Sequence, residues 1–397
     1  MFKLVRAHSG RVQIDLELRA GDGAVPPFEF VTTETKPNGR GKSTQATLGK
    51  PNEAFVAFAK ASARALKRGL VVAHAKPTFE TGWLRSMAWC GPGPARATID
   101  PRLGAVAVAN PHLKVETGGE PSVVELLSAA TAEIVGRVPL PGIASAIAID
   151  PTGRHLACTG NGRLWIYELA SRRFATCVID GAASSPSFDA SGARIACMTD
   201  RSTVVFDVAE AIDAPRPRPI VEIEGGMRGS AASAARLSPS GEQIAIANDR
   251  IALHEVGSGA EVRVLDAVPA RAIAFAKRGL WLVAATVGDG DPLRIWDLDE
   301  QKAVDLDLAE VAGARAIDVD ASGKLLALGS TTHGVRVVDL DAAAIRFESF
   351  VHASGIVDVA FGPGSALVSC DQAGFVAVHG VAAALAAGGY RGPHLSI

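Results

Sequence analysis

Short apolar runs separated by tight polar turns fill most of the chain beyond residue 90. Ala146-Ile147-Ala148-Ile149 is followed by the turn Asp150-Pro151-Thr152-Gly153 and a second apolar run, Arg154-His155-Leu156-Ala157-Cys158. After Gly160-Asn161-Gly162 comes a third run, 163–169, and a fourth follows at 173–179. Runs of this length, bounded by turn formers, predict β-strands joined by hairpins. The turn glycine recurs at Gly104, Gly153, Gly192, Gly241, Gly279, Gly323 and Gly364, 38 to 49 residues apart. Turn formers precede it, as in Asp189-Ala190-Ser191, Ser238-Pro239-Ser240 and Asp320-Ala321-Ser322. The third run of the first six repeats closes on an acid: Glu125, Glu168, Asp207, Glu255, Asp297 and Asp339.

A period near 40–45 residues with four strands per repeat is the signature of propeller blades. The fold expected is mainly β: a seven-bladed β-propeller of four-stranded blades over 77–383, behind a small α+β module at 1–76, with a tail at 384–397. The last repeat supplies only three strands: Ile356–Phe361, 366–369 and Phe375–His379. The segment 83–89, Trp83-Leu84-Arg85-Ser86-Met87-Ala88-Trp89, is expected to add the fourth and to remove an open sheet edge. The tail 390–397 is the weaker choice, because Pro393 interrupts it.

Leu293-Arg294-Ile295-Trp296-Asp297-Leu298 resembles the third strand of the WD-repeat family, and the likeness extends over about 79–381. That resemblance implies a partner-binding surface around the rim of the central channel. The family's Gly-His start is missing from most blades, with His352 the nearest candidate. Packed apolar faces are therefore expected to replace most of its buried His–Ser–Trp–Asp network.

The N-terminal residues follow another pattern. Val12-Gln13-Ile14-Asp15-Leu16-Glu17-Leu18 alternates as a half-buried strand; Phe28-Glu29-Phe30-Val31 and Gln45-Ala46-Thr47-Leu48 predict further strands. A helix is expected over 52–68, capped by Asn52, with Phe55, Phe58, Ser62 and Leu66 on its packed face. Gly39-Arg40-Gly41-Lys42, the following strand, the Ala-rich helix and its Lys-Arg-Gly end resemble the Trp-Gly-Arg (WGR) module. That module is associated with DNA and with bacterial multidomain proteins; Asn38 stands where the family has Trp.

Charge sharpens this division. Residues 1–76 hold 13 Lys+Arg against 6 Asp+Glu, a net of +7, and the remainder holds 27 against 36, a net of -9. Lys42, Lys60, Arg64, Lys67 and Arg68 are expected to form one positive surface for nucleic acid or another anion, or to rest on the acidic propeller. The five cysteines are scattered, with no Cys-x-x-Cys, which reads as buried thiols in a reducing, cytoplasmic setting. No apolar run is long enough for a signal peptide or a membrane span. The Ala-rich, Tyr-poor composition is what a GC-rich bacterial coding sequence would leave.

Candidate chemistry is sparse. Gly39-Arg40-Gly41-Lys42-Ser43-Thr44 looks like the end of a phosphate-binding loop, but Lys36 occupies the required first glycine. The histidines are not at metal-ligand spacing, and no Gly-x-Ser-x-Gly or His-Glu-x-x-His occurs. No cofactor is expected. Inner strands are almost wholly apolar, with Asp318 and Asp358 as the noted exceptions. Eight residues before each turn glycine stand Arg96, Ser145, Ser184, Ser233, Arg271, Arg315 and Ile356, which at equal register would ring the channel mouth. Arg96, Arg271 and Arg315 there suit capture of a carboxylate or phosphate, with Ile356 as an apolar contact. The long loops at 110–120 and 287–291 are expected on the same face, and Pro215–Pro219 as a stiff connection in blade 3. The function expected is a non-enzymatic scaffold for a protein or acidic peptide. The alternatives are a nucleic-acid-associated protein using its basic head, and a propeller hydrolase or lyase with a channel site.

Overall fold

The computed structural model describes residues 2–8, 13–20, 28–36, 38–48, 57, 60–61, 71–72, 75–77, 84–90, 94–386 and 390–391. Within 94–386 it is interrupted at 103, 110–121, 132, 184–185, 227–232, 288–292, 305, 307–312, 332–333, 350–351 and 353. The described residues form a seven-bladed β-propeller. Seven antiparallel sheets follow one another, and the inner strand of each lies against the inner strand of the next. The ring closes where the inner strand of blade 7 (Ile356–Phe361) meets that of blade 1 (Arg96–Ile99).

The fourth strand of blade 7 comes from before blade 1. Leu84–Trp89 pairs antiparallel with Phe375–His379, in the register Phe375↔Trp89, Val376↔Ala88, Ala377↔Met87 and Val378↔Ser86. The tail takes another place: Tyr390–Arg391 runs parallel to Ala344–Ser349 as a fifth strand on blade 6. A short helix, Val381–Ala386, precedes it with Val381 and Ala384 buried.

The apolar runs are continuous because each blade is covered on both faces. Seven hydrophobic clusters fill the seven gaps between blades. The second strand of blade 4 shows how one strand serves two gaps. Ile244 and Ile246 pack towards blade 3, whereas Ala245 and Ala247 pack towards blade 5. Side chains that alternate across a strand therefore both meet core.

The turn glycines keep time for a steric reason. Gly192 has φ +74°, and a Cβ there would sit 3.0 Å from Cγ of Asp150 in the preceding blade. Gly241 repeats the arrangement with φ +72° and 2.9 Å to Oδ2 of Asp189. Both aspartates cap their own turns: Asp150 Oδ2 accepts the N–H of His155, and Asp189 Oδ1 that of Arg194. One residue thus supplies a left-handed turn and leaves room for the neighbouring acid.

The N-terminal residues form a six-stranded sheet. Gly41–Leu48, Phe28–Thr35, Gln13–Ala20, Phe2–His8 and Val71–Val72 lie in that order, and Ala75–Pro77 also pairs with Phe2–His8. Gly41-Lys42-Ser43-Thr44 is paired strand, not a loop entering a helix. Of the helix expected over 52–68, Ala57, Lys60 and Ala61 are helical, and the other positions lie outside the described residues.

Candidate functional site

Arg271 and Arg315 occupy equivalent β-bulges on adjacent blades. In blade 5, Ala270 pairs with Thr286 and Ala272 with Ala285, which leaves Arg271 as the extra residue. In blade 6, Ala314 pairs with Ser330 and Ala316 with Gly329, which leaves Arg315. A bulge releases one residue from the ladder and re-aims its side chain. Both arginines are half-buried, and neither makes an ion pair or a side-chain hydrogen bond with a described residue.

Two members of the expected rim sit elsewhere. Ile356 is fully buried in the gap between blades 6 and 7, where a Cβ added at Gly329 would lie 2.4 Å from its Cγ2. The cause is a one-residue offset in the turn. Gly364 has φ 62° and ψ 31°, matching Arg278 of blade 5 with 58° and 33°, so Ser365 takes the place of Gly279. Blade 7's bulge residue is consequently Val357. Arg96 lies one residue deeper than Arg315. It stands four residues before Asp100, whose N–H donates to the Ala105 carbonyl; Arg315 stands five before Asp320, whose N–H donates to Leu325. Ala95, fully buried, holds the Arg315 position in blade 1. The Arg96 guanidinium donates to the Val357 carbonyl across the closure gap.

Arg96 therefore belongs to the channel wall, together with Asp358 at the same level on blade 7. Asp358 stands four residues before Gly362, whose N–H donates to Ala366. Two residues further along the inner strands, Arg236 of blade 4 shares a level with Asp318 of blade 6. The other described positions on these two levels are small. Ala146, Ala234, Ala272 and Ala316 accompany Arg96 and Asp358; Thr98, Ala148, Ser187, Ala274 and Ala360 accompany Arg236 and Asp318. All four charged residues are half-buried, which keeps them in contact with channel space.

Each is held by backbone. Arg236 Nε donates to the Ile273 carbonyl at 3.3 Å, and Asp318 Oδ2 accepts the Phe361 N–H at 2.7 Å. Asp358 accepts from the N–H of Ala97 and Val359. No two opposite charges of the four come within the 4.0 Å of an ion pair. Burial pushes the Asp318 carboxyl up to about 6 against the pull of Arg236. It raises Asp358 too, opposed by Arg96 and Arg236. The sequence pointed to the two acids but not to Arg236; its sign was an arginine at the Asp318 register in an otherwise apolar strand.

Blade 7 holds a second polar cluster. His352 Nε2 lies 2.6 Å from Ser369 Oγ, which lies 2.7 Å from His379 Nε2; His352 Nδ1 is 3.3 Å from Asp371 Oδ2. All four side chains are buried, and burial with the neighbouring His352 lowers His379 to about 3. This enclosed chain ties the segment before the inner strand of blade 7 to that blade's second and third strands.

In the N-terminal sheet, Lys42 is exposed opposite Glu34, and Lys60 is exposed. Arg64, Lys67 and Arg68 lie outside the described residues, as do Ser184 and the loop positions 110–120 and 288–291. Among the described residues no group of three His, Cys, Asp or Glu side chains is placed to hold a metal, and no helix is long and apolar enough to cross a membrane. No protein-family model matches the chain and no curated protein matches it. What stands is the propeller architecture, while the WD-repeat and WGR likenesses rest on the residues that suggest them.

Proposed function

We propose that the protein is a non-enzymatic interaction scaffold that takes an acidic peptide or protein segment at the mouth of its channel. The observation that carries this reading is the pair of bulged arginines, Arg271 and Arg315, on neighbouring blades without an internal counter-charge among the described residues. A guanidinium left uncompensated at the end of a rigid strand is pre-organised for bidentate capture of a carboxylate. The five free, buried cysteines fit a reducing, cytoplasmic setting.

The test is a fluorescence-anisotropy screen of acidic-hydrophobic peptides. Two charge-assisted contacts at ~1.5–3 kcal/mol each imply that Arg271→Ala with Arg315→Ala weakens the best binder ~100-fold or more, with the melting temperature unchanged. Retention of full affinity by the double variant would refute the site.

The +7 head supports a second reading, in which the chain associates with nucleic acid through Lys42, Lys60 and the basic residues near them.

A further inference from the structure

Four charges stand in the channel wall without a direct ion pair, in a ring of otherwise small residues. Among the described residues of the wall two are positive, Arg96 and Arg236, and two negative, Asp318 and Asp358, so the four formal charges sum to zero. Unpaired charges away from bulk water are costly, and small neighbours leave space in front of them. An anion alone would satisfy the arginines and worsen the aspartates; a cation alone would do the reverse. A neutral molecule bearing both charges gives every group a complement.

We propose that the central channel binds a small zwitterionic aminocarboxylate, its carboxylate on Arg236 and its ammonium on Asp358 and Asp318. Arg236 is the better carboxylate partner of the two arginines. It spends Nε on the Ile273 carbonyl and leaves its two terminal nitrogens without a hydrogen-bond partner among the described residues, whereas Arg96 reaches across to the Val357 carbonyl. Two terminal N–H groups in a fixed plane match the two oxygens of a carboxylate. Asp358 and Arg236 lie on levels two residues apart along the strands, a rise of ~7 Å. Asp318 shares the Arg236 level and Asp358 stands two residues away, so ligands of different chain length report which acid takes the ammonium. Small-to-charged contrast is also what sets the site apart from a packed channel: Ala148, Ala274 and Ala360 share the Arg236 level and add no bulk.

This site is independent of the rim at Arg271 and Arg315, so each can fail alone. The experiment is calorimetric titration of the full chain with glycine, β-alanine and their longer straight-chain homologues, alongside the N-acetyl and methyl-ester form of each. The expected result is binding that peaks at one chain length and weakens ~10-fold or more when either end is blocked. Arg236→Gln and Asp358→Asn should each weaken it by a similar factor, and Arg271→Ala with Arg315→Ala should not. No heat from any member at about 10 mM overturns the proposal, because the affinity would then be too weak for a site. Equal binding of the N-acetyl form also overturns it and leaves a plain anion site. The blocked-ligand comparison uses the unaltered protein, so it decides even if a variant misfolds.

Discussion

Asp318 titrates within reach of ordinary buffers. Its folded carboxyl is held up at about 6, against 3.8 for a free aspartate, because burial outweighs the attraction of Arg236. Between those values the folded state holds more proton than the unfolded state, so stability falls as pH rises through the window and then levels off. Asp318→Asn keeps an oxygen that accepts the Phe361 N–H and removes the ionisation. The variant should therefore melt above the parent at about pH 7.5, with the difference closing towards about pH 4. Thermal melts at the two pH values check this; a variant less stable than the parent at the higher pH would show that the Arg236 attraction dominates. Residue-scale features were unevenly legible. Asp318 and Asp358 announce themselves as acids in apolar strands. Ile356 was misplaced because counting from a glycine assumes that every turn is equally long, and the turn at Gly364 is offset by one.

At the scale of elements, the closing strand completes blade 7. Phe375, Val376, Ala377 and Val378 are buried beside Leu84–Trp89, and without it they would form an open apolar edge. Deletion of residues 1–76 removes the N-terminal sheet and spares that strand, so it should leave a cooperative melt close to the parent's. Deletion of residues 1–92 should lower the melting temperature by roughly 10 °C or more, or give aggregated protein. Two truncations that melt alike would mean that the strand contributes little to closure. The blades could be read in advance because a turn glycine recurs in every repeat, and at Gly153, Gly192 and Gly241 it leaves room for the turn acid of the preceding blade. Phe2–His8 escaped notice because a register shift between Leu4 and Arg6 breaks its alternation. The fifth strand of blade 6, Tyr390–Arg391, is too short to carry a pattern at all.

At the scale of the whole molecule, the chain divides its charge as sharply as its architecture, with +7 in residues 1–76 and -9 in the rest. Two arrangements satisfy that division: the basic head neutralised by the acidic propeller, or the basic head presented to an external polyanion. They differ in what salt does. A head that engages phosphates releases condensed counterions, and the binding constant then falls steeply with salt. Gel shifts with short duplex and single-stranded DNA should show a complex near about 50 mM salt that is lost by about 200 mM. Lys42→Glu with Lys60→Glu, both on exposed positions, should weaken it and flatten the salt dependence, since each phosphate contact contributes about one unit of slope. The rim variant Arg271→Ala with Arg315→Ala should leave it untouched, because those residues belong to the propeller. Absence of any complex at the lower salt concentration would end the nucleic-acid reading and favour the head as a counter-charge for the propeller itself.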